Sequence, residues 1–371
     1  MDQIKRYTLI FAFIILGVIV LTPVGFVIYY LKDIFFYIII ATVISLMGRP
    51  VLRLLDKVSI KGRTMPDSIK AMITLLVIYG LATLLFMAFI PSLLHQTESL
   101  ENIDVEAVAK GLEEPIKGIE NFIERYQLAE ERMEIENYFS EKIKSLLTST
   151  RVSSIAGAIV GFTGDLFIAV FAISFIAFFF LKERYLLQNA VVLAVPGKFE
   201  TKVGHILASI KKLLTRYFLG VIAEILLVGG LIATGLALLG VENAILIGFF
   251  AGLFNVIPYL GPIIGTATGL ALTILGSLYM DFYTEMVPLL LKELAVFILV
   301  QLVDNLVFQP FIYSSSVKAH PLEIFLVILI AGNLAGVGGM ILAIPVYTIM
   351  RVVAKEFFDQ FALVRTITKD I

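Results

Sequence analysis

Long apolar runs divide the chain into membrane-length stretches, and two of those stretches are broken in the middle. Residues 7–30 are apolar behind a polar start ending in Lys5 and Arg6. They are longer than a signal-peptide core and lack a clear small-residue cleavage site, so they read as a retained first span. A second run, 34–47, is about 20 Å long at ~1.5 Å per residue, short for a hydrocarbon core of about 30 Å. It reads as a tilted short span or as half of a tight hairpin. Further full spans are expected at 71–94, 157–181, 217–239 and 286–308. The two broken segments are 243–276, interrupted between Asn255 and Pro262, and 322–350, interrupted between Gly332 and Gly339. Irregular backbone inside hydrocarbon is tolerated only where it faces protein or a water-filled cavity, so each break marks a pathway or a binding site.

Either break belongs to a long kinked helix or to a re-entrant hairpin. Length favours the hairpin for 243–276, which would be about 50 Å long as one helix but offers halves of about 21 Å each. Pro258 and Pro262 then lie at its tip. A span followed by a hairpin would occur twice, once entering from each side, which is the layout of an inverted repeat. The expected fold is therefore an all-α polytopic membrane protein with six full spans and two broken or re-entrant helical hairpins, about eight membrane segments, and an extramembrane helical insert. Its parts are N-terminal transmembrane helices (1–94), the insert (95–151), the fourth span with a basic interfacial helix (152–216), a broken-helix core (217–350) and a tail (351–371).

Composition agrees: 59% of residues are hydrophobic, 16% are charged, and mean hydropathy is +0.96, outside the range of ordinary soluble domains. The net charge of -1 conceals a strong asymmetry. Arg49, Arg53, Lys57, Lys61, Arg63 and Lys70 crowd the loop after the second run, and Lys182 to Arg216 is again basic, with Val203, Ile206, Leu207, Ile210, Leu213 and Leu214 forming one helical face, the pattern of an interfacial helix. Basic loops mark the cytoplasmic side of what reads as a multi-pass plasma-membrane protein, and Arg351 and Lys355 put the C-terminal tail there with the N-terminus. The insert carries an acidic excess, and its Ile116, Ile119, Ile123 and Tyr126 recur at helical spacing. Such amphipathic helices lie on the membrane, pack on one another or pair between subunits. Cysteine is absent, which removes thiolate metal sites and cysteine nucleophiles. With no paired histidines and no nucleophile beside a base, neither an enzyme nor a cofactor or metal site is expected, and nucleic acid binding has no support.

Ionisable groups inside apolar segments are costly and are usually paired, solvated or functional. Asp304 stands out because Gln301, Asp304 and Asn305 share one side of the sixth span, with Gln309 beyond. This polar stripe is a proton- or cation-coupling site or a helix-packing network. Glu224 on the fifth span is a second candidate: a coupling carboxylate, or a structural group with Arg216 eight residues earlier as a stretched partner. Glu323 and His320 flank Pro321, where a carboxylate suits a helix N-terminus. Gly336, Gly338 and Gly339 have no following lysine and no preceding strand, so they read as a backbone break rather than a nucleotide loop. Asn333 and the carbonyls freed at both breaks offer ligands for a cation or a small polar solute. Gly229, Gly230, Gly235 and Gly240 read as close helix packing.

The string Asn255, Pro258, Gly261, Pro262, Gly265, followed by Asp304 and Asn305, Pro310, His320 and Pro321, Gly332, Gly336, Gly338, Gly339 and Pro345, resembles the C-terminal half of the autoinducer-2 exporter family, also called PerM-type permeases. The first half resembles that family in architecture only. One departure is that Val221, Ile222, Ala223 and Glu224 stand where the family usually places a glutamine after Gly220. The resemblance implies a homo-oligomeric transporter, with members linked to autoinducer-2 export and others to sodium or lithium exchange for protons. The expected partners are the lipid bilayer, a small polar solute, and sodium, lithium or protons. A passive channel or an oligomeric scaffold is the alternative.

Overall fold

The computed structural model describes residues 30–60, 63–101, 150–277, 280–310 and 320–358. The first span expected at 7–30 and nearly all of the acidic insert lie outside these. The described residues fall into two compact units, those within 1–75 and 162–189 and those within 76–161 and 190–371.

In the first unit, α1 (Lys32–Met47) meets α2 (Arg49–Asp56) at a bend of 44°. The basic interval after Met47, expected as loop, is thus partly helical, with Pro50 in the first turn of α2, where its missing N–H costs nothing. A two-residue antiparallel pair, β1 (Ser59–Ile60) with β2 (Arg63–Thr64), leads into α3 (Asp67–Glu101). Helix α4 (Thr150–Lys182) turns by 84° into α5 (Leu186–Leu193). At that corner Arg184 donates to Asp56 Oδ1 at 2.7 Å, and Lys70 Nζ donates to the same oxygen at 2.8 Å.

The bond from Arg184, with that from Lys70, holds the Asp56 carboxyl well below the usual carboxylate range. A depressed carboxylate contributes stability above its unfolded value, near pH 4, and loses that contribution as pH falls towards its folded value. Thermal unfolding followed against pH is expected to fall off below about pH 4 less steeply in Asp56→Asn than in the native chain.

The second unit is built around α6 (Glu200–Leu238), one continuous helix of 39 residues. The expected division into an interfacial helix and a separate fifth span is not seen, and the boundary drawn at 216 falls inside α6. No glycine or proline interrupts 205–219, so nothing stops the helix there. Gly240, at φ +75°, turns the chain at the end of α6 rather than packing against another helix, and a Cβ at Gly230 would meet open space. Gly229 and Gly235 do pack closely: a Cβ on Gly229 would lie 2.8 Å from Gly248 O, and one on Gly235 would lie 2.7 Å from Val296 Cγ1.

Helices α7 (Ala244–Phe254) and α8 (Leu260–Gly276) form an antiparallel hairpin. Three glycines at four-residue spacing on α8 set its closeness. Gly269 faces Ile247, Gly265 faces Ala251, and Gly261 faces Phe254 O and Asn255 Cα. Side chains at those positions would hold the legs apart. The tip is tight: Leu260 N donates to Pro258 O at 2.8 Å, closing a three-residue turn whose central Tyr259 has φ 67° and ψ -49°. A positive φ at tyrosine is strained, and its ring is held edge-on against Phe325 at 5.9 Å.

A single π-turn (Phe282–Met286), capped by Asp281 Oδ1 accepting from Thr284 N at 2.8 Å, starts α9 (Val287–Val303). A second π-turn, Asp304–Phe308, ends it. Helix α10 (Pro321–Phe358) is long and apolar enough to cross a bilayer as one rod, yet it is doubled over. Tyr347 Oη donates to Glu323 Oε2 at 2.6 Å across 24 residues, a separation of about 36 Å along a straight helix. The fold-back occurs at Ala335 and Gly336, where Gly336 has φ 60° and ψ -149°, and it brings Gly339 against Ala331 O. That backbone region belongs to glycine almost alone. Gly336→Ala is therefore expected to cost about 1–3 kcal/mol, read as a lower unfolding midpoint in detergent, although a Cβ there has open space around it.

The described residues are helical apart from the short β pair and the connecting turns. By length and composition they hold four helices able to cross a membrane, or up to six counting each bent pair as one. The apolar surface fits a lipid environment: Phe167, Leu238, Ile263 and Leu306 are each at least 70% exposed.

Candidate functional site

Among the described residues of the second unit, a dense apolar cluster forms where Val228, Ile232 and Leu236 of α6 meet Ile247 and Ala251 of α7 and Phe297 and Val300 of α9. Polar groups gather at one end of it. Glu224 of α6 is 3% exposed, Asn255 at the end of α7 is 3% exposed, and Asp304 at the end of α9 is fully buried. The Asn255 Nδ2 amide donates to Glu224 Oε1 at 3.2 Å and to Asp304 Oδ2 at 3.3 Å. One nitrogen thus bridges two buried carboxylates carried by different helices.

The local folding explains how the three meet. Gly229, Gly248 and Gly252 let α6 and α7 approach at backbone distance; a Cβ on Gly252 would lie 2.5 Å from Ile225 O. That approach sets Glu224 beside the end of α7. Gly261 then lets the chain return directly over Asn255. At the end of α9 the π-turn places Gln309 so that its Nε2 donates to Asp304 Oδ2 at 2.8 Å. Gln301 adds a longer contact to the same oxygen at 3.4 Å and a bond to Asn305 Oδ1 at 3.1 Å. Asp304 Oδ2 therefore receives three amides, while Oδ1 is buried with no hydrogen-bond partner. Among the described residues no basic side chain bonds to Asp304. Isolated π-turns often occur at functional positions in helices.

Of the other residues singled out in the sequence, Pro258 and Gly261 form the tip that holds Asn255. Asn305 is exposed and touches the cluster only through Gln301. Pro262 lines a cleft between α8 and α9 of about 430 Å³, whose only polar contributors are Thr266 and Gln301. Asn333 and Gly336 lie at the exposed tip of the second hairpin and are not part of the acidic cluster. The two broken elements do meet, but tip to mid-leg: Ile257 packs against Ile328 and Ala343. Arg216 is exposed, so its pairing with buried Glu224 does not arise. Glu323 is taken by Tyr347, and it is His320 Nδ1 that accepts from the backbone at the start of α10, from Leu322 N at 3.3 Å.

Chemically, two carboxylates share one amide within an apolar core, where ionisable groups are costly and are usually paired, solvated or functional. No cluster of three or more metal-ligating side chains occurs among the described residues.

The model of the AI-2E family transporter matches residues 9–359. Three proteins with provisional transport or permease names are similar to this chain. YueF of Bacillus subtilis is 26% identical over 96% of this chain and 93% of its own length. YrrI of the same organism is 30% identical over 55% of this chain and 56% of its own. PerM of Escherichia coli is 25% identical over 59% and 61%. With a match over nearly its whole length, the chain belongs to the AI-2E family of membrane transporters, which are not enzymes.

Proposed function

We propose that this chain is a secondary transporter of the plasma membrane whose coupling ion, a proton or an alkali cation, is held by Glu224, Asn255 and Asp304. The observation that carries the reading is the single Asn255 amide shared by two buried carboxylates at the tip of a broken helix. Broken elements that meet in the interior are where secondary transporters put their ligand sites. In this reading α7–α8 and the doubled α10 are re-entrant hairpins entering from opposite faces, and both chain ends are cytoplasmic.

Hairpin legs joined by glycine contacts move as bodies, and Asn255 sits on the part of the first hairpin that touches the second. Displacing that tip separates Asn255 from the carboxylates of α6 and α9, which alters their hold on a cation. The solute is small and polar, of the autoinducer-2 type, or is itself sodium or lithium exchanged for protons, and the assembly is a homo-oligomer.

The test is flux into proteoliposomes holding an internal pH dye, with sodium, lithium or autoinducer-2 added in turn, with and without a proton gradient. Solute-dependent proton movement is the expected result. Solute equilibration that ignores proton and sodium gradients would replace this reading with a passive channel.

A further inference from the structure

A second buried carboxylate lies on the same helix as Asp304 and takes no part in the cluster around it. Glu293 of α9 is fully buried, and neither of its carboxylate oxygens has a hydrogen-bond partner among the described residues. The polar group that acts on it is the hydroxyl of Thr273 on α8, itself buried and without a satisfied bond. Glu293, Phe297, Val300 and Asp304 are the buried positions of this helix and its closing turn. Their spacing of four, three and four residues makes one stripe, with the two acids three turns and about 16 Å apart.

Among the described residues, no charged group faces Glu293 from the elements packed on it. The adjoining part of α6 presents Gly235 and Leu236, and α8 presents Thr273. Glu242 lies beyond, near Gly276, and Lys292 of α9 itself is exposed. An ionised carboxylate there would be uncompensated, whereas a neutral carboxylic acid needs no counter-charge and has the buried Thr273 hydroxyl as its polar neighbour. Between the two acids the Phe297 ring is pressed onto Gly269, where a Cβ would lie 2.7 Å from Cζ. Phe297 and Val300 close off one acid from the other.

We infer that Glu293, facing Thr273, is a second proton-binding site on α9, loaded while α8 and α9 are packed and emptied to water when the two helices part. The proton leaves the Glu293 carboxyl for a water molecule, and the carboxylate that remains is solvated by the same opening. Its role in coupling rests on the transporter reading, but its occupancy does not.

Infrared spectroscopy of the purified protein in lipid at neutral pH tests it. One component of the protonated-carboxyl absorption, sensitive to exchange into heavy water, is expected to be lost in Glu293→Gln and to persist in Asp304→Asn. Thr273→Val, which leaves the acid in place but removes the hydroxyl beside it, is expected to shift that component, and so reports even if Glu293→Gln fails to fold. A band unchanged in both Glu293→Gln and Thr273→Val overturns the inference. Uncoupled transport by the native protein with the Glu293 band present would sink the transporter reading alone, whereas coupled transport with no Glu293 band would sink the second site alone.

Discussion

Asp304→Asn is expected to abolish gradient-driven transport while leaving folding and assembly intact. The reasoning begins with its partners. Asp304 Oδ2 accepts from Asn255, Gln301 and Gln309, and its other oxygen has none. An asparagine of the same shape keeps one acceptor oxygen for those amides, so the packing survives. The exchangeable negative charge does not. Hydrogen bonds to a charged group contribute about 1.5–3 kcal/mol, so ion affinity should fall at least about tenfold. Flux at matched protein density, with an unfolding midpoint near that of the native chain, checks both halves. Unaltered coupled flux would remove Asp304 from the mechanism.

Gly261→Val is expected to have the largest effect on stability. A Cβ at this position would collide with Phe254 O and lie 2.8 Å from Asn255 Cα. Both are backbone atoms, so no side chain can swing aside. Overpacking of this kind costs typically about 1–3 kcal/mol and sometimes more, and here the hairpin tip that carries Asn255 must move. The unfolding midpoint should drop, and transport should fall with it. Gly230→Ala is the contrasting case, since a Cβ there meets open space within a regular helix. It should be neutral, or stabilising by up to about 1 kcal/mol through helix propensity.

The amino-acid pattern made some of this visible and hid the rest for identifiable reasons. Apolar halves around Pro258 and around Gly336 announced the two breaks, because glycine and proline are where a helix gives way. The stripe of Gln301, Asp304 and Asn305 was legible from spacing alone, although the π-turn that brings Gln309 onto Asp304 has no pattern of its own. Asn255 and Glu224 are 31 residues apart, and nothing local reveals that glycines at 229, 248 and 252 bring their helices together. Arg216 was the nearer partner in sequence, but it lies on the exposed side of α6. Glu293 is not legible because it follows Lys292, and a Lys–Glu dipeptide looks like an ordinary charged helix surface. Only the lysine is exposed.

The continuity of α6 was hidden by composition. Its lysines at 211 and 212 form a polar interval that resembles a boundary, but lysine is a good helix former and the helix runs through them. The hairpin in α10 shows the reverse limit. Hydropathy reads 37 residues as one membrane-length helix, and only the bond between Glu323 and Tyr347, with Gly339 against Ala331, reveals that the helix returns on itself.

The measurement that bears most directly on a single coupling centre is a double-mutant cycle of gradient-driven flux across Glu224→Gln, Asp304→Asn and the double variant in proteoliposomes. Two carboxylates joined by one amide act as a unit, so the double variant should lose no more than the worse single one, with a strongly non-additive cycle. Losses that simply multiply, or a Glu224→Gln variant with native coupling, would contradict a shared site.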